Sequence, residues 1–120
     1  MENIQAENIL GEKHFMAYET VLTLQELPDG ERIVIEIEDM WVAVFNVNGQ
    51  VYAIEDICTH DGEELAGGPV EGDEIICPRH GARFCLRTGA ALTPPAYEDV
   101  TVFPVRVENG RIQVRDNRER

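Results

Sequence analysis

Hydrophobic and polar positions alternate along much of this chain. Isoleucine occupies positions 33, 35 and 37 and Val34, Glu36 and Glu38 lie between, the period of two expected of a half-buried strand. Residues 41–47 and 51–56 read as two further strands flanking Asn48-Gly49, a two-residue turn in which both members take positive φ. That loop length sets Phe45 opposite Tyr52 and Ala43 opposite Ile54, and Trp41, Phe45 and Tyr52 are expected in the core. A second Asn-Gly pair, Asn109-Gly110, sets Val105 and Val107 against Ile112 and Val114. Near the start, Met16, Tyr18 and Val21 open a strand, and residues 22–27 continue it up to the turn signal Pro28-Asp29-Gly30. Shorter strands fit residues 74–76, after Gly72-Asp73, and residues 83–86, before Thr88-Gly89, with a further turn at Gly67-Gly68-Pro69. Apart from a helical turn around residues 2–9, no helix is expected, and the fold class is all-β.

A chain of 120 residues fits one domain with a modest core. Residues 1–15 and 116–120 read as tails and residues 16–115 as the domain, with a small inserted subdomain at about residues 57–95. The longest apolar run, residues 40–45, is far too short for a membrane span, and residues 1–11 lack the features of a secretory signal. A soluble protein of the reducing cytoplasm is expected. Twenty-three acidic against ten basic residues give a formal charge of -13, which argues against nucleic acid and anionic membrane as partners and for a protein with a basic surface. The sign is not uniform, however. No acid occurs from Cys77 to Tyr97, where Arg79, Arg83 and Arg87 fall, while Asp61, Glu63 and Glu64 follow the first Cys-His pair.

That pair carries the chemistry. Cys58-Thr59-His60 is followed, sixteen residues on, by Cys77-Pro78-Arg79-His80, each half running into a glycine, Gly62 or Gly81. Two soft thiolates and two imidazoles form a metal-site constellation that accepts either a mononuclear zinc or a [2Fe-2S] cluster. Glycine permits the sharp turns by which a loop approaches a cofactor, and Pro78 stiffens the second loop.

Cys-x-His followed at this separation by Cys-Pro-x-His-Gly resembles the cluster signature of the Rieske family. The resemblance covers about residues 16–115 and implies an antiparallel β-sandwich or barrel scaffold with an inserted cluster-binding subdomain. It assigns Cys58 and Cys77 to one iron of a single [2Fe-2S] cluster and His60 and His80 to the other. It places the two histidines, with Arg79 beside them, at an exposed tip where electrons leave, and it likens Pro94-Pro95 to a loop that covers the cluster. Arg79, Arg83 and Arg87 read either as solvated charges or as a docking rim. Two ferric ions, two sulfides, two thiolates and two neutral imidazoles sum to zero charge, which raises the potential above that of all-thiolate clusters, to roughly -150 to +300 mV across the class. High-potential members carry a disulfide between the loops and two hydroxyl donors to cluster sulfur. Here Glu63, Arg79, Ala82 and Phe84 stand at those four positions, so the low end of the range is expected.

The implied function is that of a ferredoxin passing single electrons from a flavin-dependent reductase to a terminal oxygenase. Service to another system (a reductase subunit, a redox sensor, an iron-sulfur assembly helper) and a structural zinc module are the alternatives. His14, expected in the solvated tail, is the only histidine left over, too few for a catalytic iron of two histidines and a carboxylate. No enzymatic activity and no small-molecule substrate are therefore expected. Cys85 reads as a small buried hydrophobe.

Overall fold

A computed structural model describes residues 17–117. The expectations for the helical turn at residues 2–9 and for His14 lie outside the described residues. Among the described residues no helix is long and apolar enough to cross a membrane.

Among the described residues, ten strands form three antiparallel sheets. In chain order they are β1 (Tyr18–Thr23), β2 (Arg32–Ile37), β3 (Met40–Val47), β4 (Gln50–Glu55), β5 (Val70–Glu71), β6 (Glu74–Ile76), β7 (Arg83–Cys85), β8 (Val102–Phe103), β9 (Val105–Glu108) and β10 (Arg111–Arg115). The sheets are ordered β2-β3-β4-β8, β9-β10-β1 and β5-β6-β7.

The four-stranded sheet lies between two cores because its side chains alternate between its faces. Met40, Val42, Val44, Ala53 and Phe103 pack with Leu22, Ile112 and Val114 of the sheet β9-β10-β1. Ala43, Phe45 and Ile54 meet Leu65, Ile75, Phe84, Leu86 and the two cysteines of the inserted subdomain. Each fully buried side chain of this size stabilises the fold by about 1.5–3 kcal/mol relative to exposure. The same scaffold face that fills the second core is thus the floor on which the cysteines rest.

The Asn-Gly hairpins form in the expected registers, with Phe45 opposite Tyr52, Ala43 opposite Ile54, Val105 opposite Val114 and Val107 opposite Ile112. Positive φ is taken at Asn48 (55°) and Gly49 (88°), and at Asn109 (54°) and Gly110 (74°). A third two-residue turn joins β2 to β3 with the same geometry but no glycine, at Glu38 (50°) and Asp39 (67°). Left-handed backbone at an ordinary residue costs about 1 kcal/mol or more.

Four expectations need correction. Residues 24–26 form a 3-10 turn rather than more strand. The Glu26 carboxylate accepts the Thr23 N–H at 2.8 Å, offering the backbone a partner other than a ladder, and Leu27 then turns into the core at 1% exposure. Trp41 is 59% exposed, not in the core. It shares a face with Ala43 and Phe45, but only those two join the core that the inserted subdomain closes. Ile33 and Val34 are both exposed because β2 is an edge strand, so the half-buried pattern there holds at Ile35 and Ile37. Asp116, expected in a frayed tail, is buried, since pairing of Arg115 with Tyr18 keeps the chain docked.

Candidate metal centre

Each ligand loop leaves a strand at its cysteine. β4 leads through Asp56-Ile57 into Cys58, and β6 ends directly at Cys77. The two loops then make the same backbone turn. The Cys58 N–H donates to the Glu63 carbonyl and the Cys77 N–H to the Ala82 carbonyl, both at 2.7 Å and both five residues on. The Gly62 N–H returns to the Cys58 carbonyl at 2.7 Å and the Gly81 N–H to the Cys77 carbonyl at 3.0 Å. Both glycines stand at φ +77°, a conformation glycine takes at no steric cost. The cysteines therefore occupy equivalent positions, while His60 lies two residues beyond its cysteine and His80 three.

The four expected residues come together as two pairs. Cys58 and Cys77 are buried, at 0% and 1% exposure, and their sulfurs and a carboxylate oxygen of Asp61 lie within 4.8 Å of one another. The His60 and His80 rings stand nearly perpendicular, with centroids 4.9 Å apart, and are exposed. Two sulfurs inside and two imidazoles outside match the donor set of a [2Fe-2S] cluster with one thiolate-bound and one imidazole-bound iron. Burial pushes the Cys58 thiol above its ordinary value, with Cys77 as a smaller cause, so the sulfur ionises when a cation sits beside it.

Asp61 also lies within 4.8 Å of both imidazoles, and His60, Asp61 and His80 together have the composition of a mononuclear iron site. Its carboxylate is otherwise engaged. Arg79 donates through Nε to Oδ2 at 2.7 Å and through Nη2 to Oδ1 at 3.2 Å, and the Glu63 N–H reaches Oδ1 at 3.0 Å. The Arg79 guanidinium, with that N–H second, holds the carboxyl far below the usual range. Sequence reading noted the mixed charge here but could not pair two residues eighteen apart. The remaining arginines of this region are paired as well, Arg83 with Glu71 and Glu74, and Arg87 with Asp73 at 3.8 Å. A rim of unpaired arginines is therefore not what surrounds the histidines.

Further side-chain contacts hold the loops. The Asp56 carboxylate accepts the N–H groups of Leu65 and Ala66, both at 2.8 Å. The Thr59 hydroxyl donates to the Glu98 carbonyl at 2.6 Å, and the Arg83 N–H donates to the Thr93 hydroxyl at 3.0 Å, so the segment around Pro94-Pro95 is tied to both loops. Arg32, on β2, lies over the Phe45 ring and donates to the carbonyls of Ala66 and Gly68, fastening the subdomain to the scaffold. Nothing in the sequence pointed to Arg32. Ala82 and Phe84, fully buried, offer no hydroxyl. Cys85 is buried and belongs to neither donor group, as expected.

The Gly67-Gly68 turn sets the second loop. A Cβ at Gly68 would lie 1.8 Å from the Ile76 carbonyl oxygen, one residue before Cys77. Gly68→Ala is expected to destabilise the protein by about 2 kcal/mol or more and to lower cluster retention. Urea unfolding followed by circular dichroism, with iron per chain measured in parallel, checks both.

The sequence profile of the Rieske [2Fe-2S] domain matches residues 17–104. The chain is 43% identical over 88 residues to the ferredoxin subunit of a 3-phenylpropionate/cinnamic acid dioxygenase from Escherichia coli, covering 72% of this chain and 82% of that one. Among solved structures it is similar to the ferredoxin of carbazole 1,9a-dioxygenase from Nocardioides aromaticivorans IC177, with a TM-score of 0.77, 32% identity and coverage of 82% and 97%. It is likewise similar to a chain in a complex of reduced oxygenase and oxidised ferredoxin of carbazole 1,9a-dioxygenase, with a TM-score of 0.77, 31% identity and coverage of 85% and 95%. These matches select the [2Fe-2S] cluster over zinc. With the profile spanning most of the chain, the chain belongs to the Rieske [2Fe-2S] domain family.

Proposed function

We propose that this protein is a cytoplasmic ferredoxin that accepts one electron from a flavin-dependent reductase and delivers it to a terminal oxygenase, with Cys58 and Cys77 on one iron and His60 and His80 on the other. The observation that carries this reading is the split of the donor set, with both sulfurs buried and both imidazoles at the surface. When bound, the cluster supplies a reversible one-electron couple. The protein's own residues decide where that electron can leave. The buried sulfurs and the core behind them keep solvent from one side, and the exposed imidazole edges open the other to a docked partner. Arg79 and Asp61 cancel each other beside His80, so little local charge opposes the approach of a partner of either sign. Support for an oxygenase as acceptor comes from the named relatives, whose systems are dioxygenases.

Electron paramagnetic resonance of the dithionite-reduced protein is expected to give a rhombic signal with an average g below that of all-thiolate ferredoxins. Adding an oxygenase component and its aromatic substrate under oxygen should then discharge that signal and form product in proportion to electrons delivered. A signal that persists with every oxygenase component of the related systems would sink the oxygenase reading. Zinc without iron in the purified protein would sink the carrier reading altogether.

A further inference from the structure

Trp41 is the one tryptophan of the chain, and it is 59% exposed on a strand otherwise buried from Met40 to Asn46. It stands between two shallow hollows. One joins it to Val34, Asp56, Glu64 and Ala66, and the other runs from Asp39 past Glu55 to Gly62, Glu63 and Glu64 of the first ligand loop. Among the described residues, neither hollow is lined by a lysine or an arginine. Glu36 is the cross-strand partner of Trp41, and Asp39 of the Glu38-Asp39 turn lines the second hollow. In that turn two acids hold the left-handed backbone that the other hairpins give to Asn-Gly.

The edge is also continuous with the site. The Trp41 carbonyl accepts the Asp56 N–H at 2.9 Å, two residues before Cys58, and Glu63 supplies the carbonyl that receives the Cys58 N–H. A partner seated on Trp41 therefore rests against the loop that carries His60.

We infer that this edge docks the basic face of a redox-partner protein, with Trp41 as the apolar anchor and the surrounding carboxylates as its rim. The inference rests on the electron-carrier reading above. An aromatic anchor inside a rim that excludes water is where binding energy concentrates, and the acidic rim sets encounter rate and sign of partner. An anionic membrane or nucleic acid would be repelled by the same carboxylates.

The test uses the reduced holoprotein and cytochrome c, a basic haem protein, as probe. One electron leaves the reduced cluster and converts ferric haem to ferrous haem. Stopped-flow rates are compared for Trp41→Ala, for Asp39→Asn with Glu64→Gln, and for Glu31→Gln with Glu108→Gln, which removes two charges outside the edge. At low salt the first two variants should slow the reaction about tenfold and the third by less than about twofold, with unaltered resonance signals in all. High salt should erase the effect of the charge variant. In protein labelled with 5-fluorotryptophan, the single fluorine resonance should shift when ferrocytochrome c is added. Wild-type rates in the first two variants, or a fluorine resonance that stays put while the protein binds the probe, would overturn the docking edge. A reduced protein that fails to pass its electron even to ferricyanide would instead overturn the carrier reading, and the docking edge with it.

Discussion

Serine in place of Cys77, and separately in place of Cys58, is expected to yield protein with less than about a tenth of the wild-type iron and no visible cluster bands, because a serine hydroxyl does not ionise as a thiol does and makes a poor ligand for this metal. Each cysteine is walled in by the second core, so no nearby side chain can swing in to replace it. Among the described residues the one other donor grouped with both sulfurs is Asp61, whose carboxylate is occupied by Arg79 and the Glu63 N–H. Loss of the cluster should also lower thermal stability, since metal binding to loops that close only in the folded chain is itself folding free energy. Cys85→Ser is the internal comparison and should keep its cluster, because Cys85 lies in neither donor group. Iron analysis, visible absorption and thermal melts on the three variants check the assignment. A Cys77→Ser protein with full iron and an unchanged resonance signal would remove Cys77 from the ligand set.

Cysteine in place of His60 or His80 is expected to keep a cluster and lower its potential by on the order of 100 mV per exchange, a share of the gap between imidazole-ligated and all-thiolate centres. The sign follows from charge. A neutral imidazole is replaced by a thiolate, so the added electron enters a more negative cluster. The geometry favours retention, because both histidines are at the surface, where a shorter side chain and a small loop adjustment meet no packed core. Redox titration monitored by circular dichroism gives the potential, and the resonance should move toward the all-thiolate pattern. An unchanged potential in either variant would show that the replaced histidine does not bind iron.

The legible parts of this fold are those whose cause is local. Asn48-Gly49 and Asn109-Gly110 fix hairpin registers because the turn geometry and the two-residue loop leave one way to pair the flanking strands. The end of β1 escapes the apolar pattern because the competing interaction, the Glu26 carboxylate on the Thr23 N–H, satisfies a backbone group in a way that apolar spacing does not reveal. Trp41 departs from its pattern for a different reason. A tryptophan at a core-facing position of a strand is ordinarily buried, and whether anything covers it depends on where a separate subdomain stops.

By itself the sequence determined the all-β class, the hairpin registers and the two Cys-His pairs that the fold gathers, together with the family they signal, since Cys-His spacing and turn chemistry act over a few residues. Tertiary structure alone decided that the sulfurs lie against the second core, that Arg79 pairs with Asp61, that Arg32 fastens the subdomain, and that Trp41 stays uncovered. Each of these depends on which distant segments meet, and contact between distant segments is set by the packing of whole sheets rather than by any neighbouring residue.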